Sequence, residues 1–189
     1  KRKKVLVIVN TVSKANELYN ELKDEKVYLL HSRFIQKDRS LLEKEIKRFA
    51  EGNKNGIWIT TQLVEASIDI DFDVLYTELS TIDSLLQRFG RCYRKRELSD
   101  SNPNIFIYTK NISGEGSVYD KDILSLTLKY LNKFHNKSIN EKDKIQLVKK
   151  IYSNDELQGT DFLKEFQKAV HKLNYLEDYE ITNDEAQKI

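Results

Sequence analysis

Val5-Leu6-Val7-Ile8-Val9-Asn10-Thr11-Val12-Ser13 is the stretch whose reading decides the fold. It begins with five consecutive aliphatic residues, most of them β-branched. An unbroken run of this kind reads as a strand covered on both faces, as in a parallel sheet. A polar step follows, and Ser13 offers a helix N-cap. Ala15, Leu18, Tyr19 and Leu22 then recur at helical spacing, one apolar stripe on a polar cylinder.

Outward from there the cycle repeats. Val27 to Leu30 reads as a second strand. Ile35 to Ala50 reads as a helix with Leu42, Ile46 and Phe49 on one face and Gly52 as its stop. Gly56 to Thr60 and Val74 to Thr77 are the third and fourth strands. Thr81 to Phe89 is a helix that packs Leu85, Leu86 and Phe89, and Ile105 to Tyr108 is the fifth strand. Strands alternating with helices of this size predict βαβ units and a mostly parallel α/β sheet between helical layers. After about residue 118 the pattern is helical only. Asp120 caps a helix carrying Leu124, Leu128, Leu131 and Phe134. A second carries Ile145, Leu147, Val148 and Ile151. Thr160 caps a third, with Phe162, Phe166, Ala169, Val170 and Leu173 on one face. The expected division is therefore 1–118 for the α/β part and 119–189 for a helical extension, with a polar end from Glu177 that frays.

Composition bounds the function. The 189 residues are 39% hydrophobic and 33% charged, a globular balance with a real core. The 32 basic and 30 acidic residues give a net charge of only +2, so bulk charge does not announce a nucleic-acid binder. Distribution is less even: Arg88, Arg91, Arg94, Lys95 and Arg96 fall within one short segment, which suits either phosphates or plain solvent. The single cysteine, Cys92, excludes an intrachain disulfide and offers no metal cluster, which fits a reducing cytoplasm. No apolar run approaches the ~20 residues of a membrane helix. Lys1-Arg2-Lys3-Lys4 precedes a run too short for a signal peptide, and the missing initiator Met suggests a piece of a longer chain.

In parallel α/β sheets, ligands sit beyond the C-terminal strand ends. That rule selects Asn10-Thr11, His31-Ser32-Arg33, Thr60-Thr61 and the residues from Glu78 on. The sharpest signal lies close by: Gln87-Arg88-Phe89-Gly90-Arg91-Cys92-Tyr93-Arg94. Nucleotide hydrolysis spreads negative charge over phosphoryl oxygens, and guanidinium forks stabilise it better than ammonium groups. Two arginines three residues apart near a helix end can point the same way. The plainer reading is a solvated basic patch. The segment Thr60-Thr61-Gln62-Leu63-Val64-Glu65-Ala66-Ser67-Ile68-Asp69-Ile70-Asp71-Phe72-Asp73 follows a buried strand, and its plainer reading is a polar loop with Asp69 in an Asx turn. Asn10-Thr11 also reads as a simple strand-to-helix turn. His31 reads as a core histidine, not a catalytic base.

These segments resemble motifs of the superfamily-2 helicases. Q-R-x-G-R-x-x-R resembles motif VI, the Thr60–Asp73 stretch motif V, and Asn10-Thr11 motif IV. His31-Ser32-Arg33 through Arg39 resembles a His-Gly-x element with the basic helix start after it. The order and the preceding strands point to the second RecA-like domain of that superfamily. The run E-x-S-x-D-x-D-F-D from Glu65 to Asp73 is similar to the CRISPR-associated helicase-nuclease of type I immune systems. Asp83 ahead of Gln87, Val118-Tyr119-Asp120, Ile139 to Asp143 and Val148 to Tyr152 extend the likeness over about residues 4 to 155.

The resemblance implies roles. Arg91 and Arg94 would be arginine fingers. Gln87 would read the nucleotide or couple it to the nucleic-acid site, Asp69 would bind the ATP ribose or bridge to the fingers, and Arg88 would support structure or an interdomain contact. Asn10, Thr11, Arg33, Arg39 and Thr61 would hold a nucleic-acid backbone, with Ser67 as the small residue of close approach. It implies a single-stranded DNA translocase driven by ATP with Mg²⁺. The partners would be a first RecA-like domain, a crRNA-guided surveillance complex and an HD nuclease domain, fused or separate. No phosphate loop, Mg²⁺-binding carboxylate motif or HD motif occurs in these 189 residues, so the chain alone is expected not to hydrolyse ATP. Two alternatives stay open: another superfamily-2 DNA or RNA helicase, and a non-catalytic adaptor with a helicase-like fold.

Overall fold

The computed structural model describes residues 3–23, 26–66, 68–94, 96 and 102–173. Ser67, Lys95 and the end from Glu177 fall outside the described residues. Five strands, β1 (Lys4–Ile8), β2 (Val27–Leu30), β3 (Gly56–Thr60), β4 (Val74–Glu78) and β5 (Ile105–Tyr108), form one sheet in the order β2-β3-β1-β4-β5. Every pairing is parallel. The expected α/β class is the observed one. β1 begins and ends one residue before the expected run, and β4 continues through Glu78.

Helix α1 (Val12–Glu21) lies against one face, where Ala15, Leu18 and Tyr19 meet Val7, Ile57 and Ile59. The opposite face carries α2 (Gln36–Glu51), α4 (Ile82–Phe89), α5 (Lys121–Leu131) and α6 (Glu141–Ile151) in a single larger core. Leu6, Trp58 and Leu75 from the sheet meet Ile46 and Phe49 of α2, Leu85 and Phe89 of α4, Leu124 and Leu131 of α5, and Leu147 and Ile151 of α6. Tyr28 stacks on Trp58 with centroids 5.0 Å apart, and Phe49 tilts onto both. Burial of these large rings is the main favourable term holding the layer down. Among the described residues there remain three short elements, α3 (Leu63–Ala66), a 3₁₀ turn (Asn132–Phe134) and α7 (Asn154–Leu157), and the longer helix α8 (Asp161–Leu173).

The caps explain the boundaries. Thr11, not Ser13, caps α1: its backbone is extended and its Oγ1 accepts the Lys14 N–H at 3.2 Å. Ser13 is already inside the first turn, because the chain bends directly after Asn10. Ile35 sits before α2 and makes no side-chain cap bond, so that helix starts at Gln36. Asp120 accepts the Asp122 and Ile123 N–H groups as expected, and Thr160 accepts that of Leu163. Asn140 and Asp143 form a reciprocal capping box at the start of α6. No helix among the described residues is long and apolar enough to cross a membrane.

Candidate functional site

The parallel register aligns Leu30, Thr60, Ile8, Thr77 and Ile107 in one row across the sheet. The candidate residues emerge just beyond that row. Arg33 follows β2, Thr61 follows β3, and Asn10 and Thr11 follow β1. The strand order reverses around β1, where open parallel sheets form their ligand crevice.

Arg33 is exposed on the turn after β2. Arg39 lies on the first turns of α2, 3.5 Å from Glu43. Thr11 is half-buried, its hydroxyl engaged as the α1 cap. Thr61 is 3% exposed. Asn10 is 2% exposed and turned inward: its amide donates to the Leu79 carbonyl at 2.8 Å and its Oδ1 accepts from Arg88 at 3.1 Å. His31 is buried, stacked on Phe34 at 4.4 Å, with Nε2 3.2 Å from Asn16. Burial, then the nearby Arg33 charge, hold its pKa below the usual histidine value against an opposing backbone hydrogen bond, which suits a packed neutral imidazole.

Arg91 and Arg94 lie past the end of α4, which stops at Phe89 with Gly90 as C-cap. Their alignment therefore does not come from helical spacing. It comes from the segment 69–73, which runs alongside 91–94. Phe72 N–H donates to the Arg91 carbonyl at 3.0 Å, and Tyr93 N–H donates to the Phe72 carbonyl at 3.2 Å. Tyr93 takes a positive φ of 50° to turn the chain. The Arg94 N–H donates to Asp71 at 3.0 Å, and the Arg94 guanidinium meets Asp69 at 2.6 Å with both side chains about half exposed. Arg96 closes the turn by gripping Asp71 at 3.0 Å and Asp73 at 2.7 Å and lying over the Tyr93 ring. The three carboxylates of Asp69, Asp71 and Asp73 thus hold the turn after α4 in place.

The Arg91 guanidinium donates to the Glu65 backbone carbonyl. Its Nε is buried without a partner. Burial, then the Arg94 charge, lower its pKa from the usual guanidinium value, which it can bear and stay charged. A buried donor with no acceptor beside a second guanidinium fits an incoming anionic oxygen. Gln87 is exposed next to them. A cleft of about 440 Å³ is lined by Gln87, Arg91, Tyr93 and Arg94 with Glu141 and Lys144 of α6. Cys92, behind the turn, is buried, and burial pushes its thiol up to about 12. Among the described residues no group of three His, Cys, Asp or Glu side chains could hold a metal ion.

Sequence reasoning passed over a buried polar network. Arg88 is 0% exposed. Its Nε donates to Glu65 at 2.8 Å. Its NH1 donates to Thr77 Oγ1 at 2.7 Å and the Glu78 carbonyl at 3.1 Å. Its NH2 donates to Asn10 and to Tyr119 Oη at 2.9 Å. Glu78 in turn accepts the Asn10 N–H at 2.7 Å and both the N–H and the hydroxyl of Ser113. Gly114 makes that last contact possible: at φ 78° it turns the chain, and a Cβ there would lie 2.8 Å from Val118. The available signal was a charged residue closing a buried strand, and an arginine on the apolar face of α4.

Residues 1–97 match the family described as CRISPR-associated nuclease/helicase Cas3, C-terminal. A Cas3 nuclease/helicase of Methanothermobacter thermautotrophicus is 35% identical over 90% of this chain and 21% of its own length. The crystal structure of T. fusca Cas3 with AMPPNP superposes with a TM-score of 0.72 at 25% identity, over 91% of this chain and 22% of that one. A chain in a CRISPR RNA-guided surveillance complex, pre-nicking, gives 0.68 at 26% identity, over 90% and 24%. The chain thus spans about a fifth of the length of the relatives it matches.

Proposed function

The chain belongs to the C-terminal domain family of the CRISPR-associated Cas3 nuclease/helicases, and from that premise we propose that it is the finger-bearing RecA-like half of an ATP-driven single-stranded DNA translocase. One observation carries the reading: Arg91, with a buried unpaired donor, and Arg94 are fixed side by side on the motif V backbone and on Asp69.

ATP with Mg²⁺ supplies the phosphoryl group on whose oxygens charge accumulates, and a first RecA-like domain holds it. Arg91 and Arg94 reach that charge across the cleft as arginine fingers, which preorganised donors in a dry site do well. Gln87 orients the nucleotide beside them. Asp69 holds Arg94 when no phosphate does and accepts a ribose hydroxyl otherwise. Thr61, Thr11, Arg33 and Arg39 hold the DNA backbone across three neighbouring strand ends, contacts that carry no sequence preference. Thr61 would meet a phosphate only as the crevice opens, being buried here. Asn10 braces Arg88 from inside, so the phosphate contact expected of it passes to Thr11. The assembled protein works in the cytoplasm, recruited by a crRNA-guided surveillance complex and feeding an HD nuclease.

Steady-state hydrolysis is the test. This chain alone should show no ATP turnover with or without single-stranded DNA, and robust turnover would sink the half-site reading. In the longer protein, Arg91→Ala should lower DNA-stimulated kcat by roughly 10³- to 10⁵-fold. A non-catalytic adaptor would lose nothing.

A further inference from the structure

Glu65 occupies a place that none of the assigned roles uses. It is 9% exposed, in the one-turn helix α3, four residues after Thr61 and four before Asp69. Its two ends hold two different arginines. The carboxylate accepts from Arg88 Nε at 2.8 Å, and the backbone carbonyl accepts from Arg91. Arg88 has five N–H donors, and five acceptors occupy them. None is left for a phosphate, so Arg88 is not a third finger. It is a fixed post, anchored to the tips of β1 and β4 through Asn10, Thr77 and the Glu78 carbonyl.

We infer that Glu65 is a positioning residue that transmits nucleic-acid contact at the β3 tip to the finger Arg91. Any shift of the segment 61–66 moves the carbonyl that holds Arg91. The carboxylate, tied to the post, limits that shift to a rotation of α3 about Arg88. A carboxylate is needed because the guanidinium it faces is fully buried, and a neutral acceptor there would leave a buried charge uncompensated. Tyr119, reaching Arg88 at 2.9 Å from beyond the sheet, steadies the same post. Glu65 touches neither nucleotide nor DNA and acts only through Arg91.

The inference rests on the translocase reading, and the experiment separates their failures. The longer protein that carries this domain is assayed for ATP hydrolysis without DNA and over a titration of single-stranded DNA. Glu65→Gln, Arg91→Ala and the double variant are compared with the parent. Glu65→Gln should leave DNA-free turnover and DNA affinity, read by fluorescence anisotropy, within about 2-fold, and cut DNA stimulation of kcat by about 2- to 30-fold. The double variant should be no slower than Arg91→Ala alone, because both act through one group. Additive losses would mark a general structural role and overturn the inference. Tyr119→Phe withdraws one acceptor from the post without stranding a charge, and answers the case in which Glu65→Gln does not fold. It should lower stimulation with unchanged DNA-free turnover, and full stimulation would overturn the inference. If the parent itself shows no DNA-stimulated hydrolysis, it is the translocase reading that falls.

Discussion

At the scale of single residues, one motif contains two kinds of arginine. Arg88 is buried among five acceptors and compensated by Glu65, while Arg94 pairs with Asp69 in the open. The physics separates them sharply. Removing one member of a buried ion pair strands the other, whereas an exposed pair is screened by water and gains little. Arg88→Ala should therefore destabilise the chain by about 3–5 kcal/mol. Arg94→Ala should cost less than about 1 kcal/mol and act on activity alone. Urea unfolding of the two variants, followed by circular dichroism, compares them directly, and equal losses would contradict the buried network. The resemblance already set Arg88 apart from Arg91 and Arg94, but the partners that bury it were not legible in the sequence. The spacing of Gln87, Arg91 and Arg94 marks the motif, and Asp69 follows from the acid run. Nothing local says that Arg88 will meet Asn10, which is 78 residues away, or that Glu65 will serve two arginines at once.

Among the elements, those with strong local codes were readable and those made by long-range contact were not. β2, β3 and β5 match their expected spans because unbroken apolar runs between polar turns leave little choice. α5 starts where Asp120 caps it. By contrast α3 is a single turn with too few residues for a periodicity, and the alignment of the turn after α4 with residues 69–73 has no local signature. α7 escaped for the same reason as α3, yet it carries a pH-sensitive clasp. Glu156 of α7 accepts from Lys129 of α5 at 2.7 Å and from the Tyr130 hydroxyl, with Lys150 of α6 at 3.6 Å. Lys129, then Tyr130, hold its carboxyl down to about 2, against 4.5 when unfolded. A depressed carboxyl stabilises the fold above its unfolded pKa and ceases to do so as pH falls through the folded one. The clasp should be whole at pH 7 and weaken from about pH 4.5 toward 2. Thermal midpoints of the parent chain and of Glu156→Gln should thus differ at pH 7 and converge in acid. A constant gap across that range would show that the carboxylate charge contributes nothing.

Taken whole, the molecule ties its helical extension to the motif-bearing part by more than chain continuity. Leu124, Tyr130, Leu131, Leu147 and Ile151 belong to the same core as the sheet and α4. The Tyr152 hydroxyl donates to Asp83, in the first turn of α4, at 2.7 Å, and Tyr119 reaches Arg88 in its last turn. The family-like stretches around Tyr119 and Tyr152 are thereby explained as grips on the helix that leads to Arg91 and Arg94. The division at residue 118 is accordingly proposed as one of labour, with motifs before it and bracing after it, and not as one of folding. Cutting there would expose the apolar face of α4 that α5 and α6 cover, and would remove three hydrogen bonds to the same helix. A fragment of residues 1–118 should therefore lack a cooperative thermal transition, while the 189-residue chain melts in one step. Circular dichroism and calorimetry on both would decide it. A fragment that unfolds cooperatively, with native-like helix content, would mean that α4 and the turn carrying Arg91 and Arg94 are set by the sheet alone.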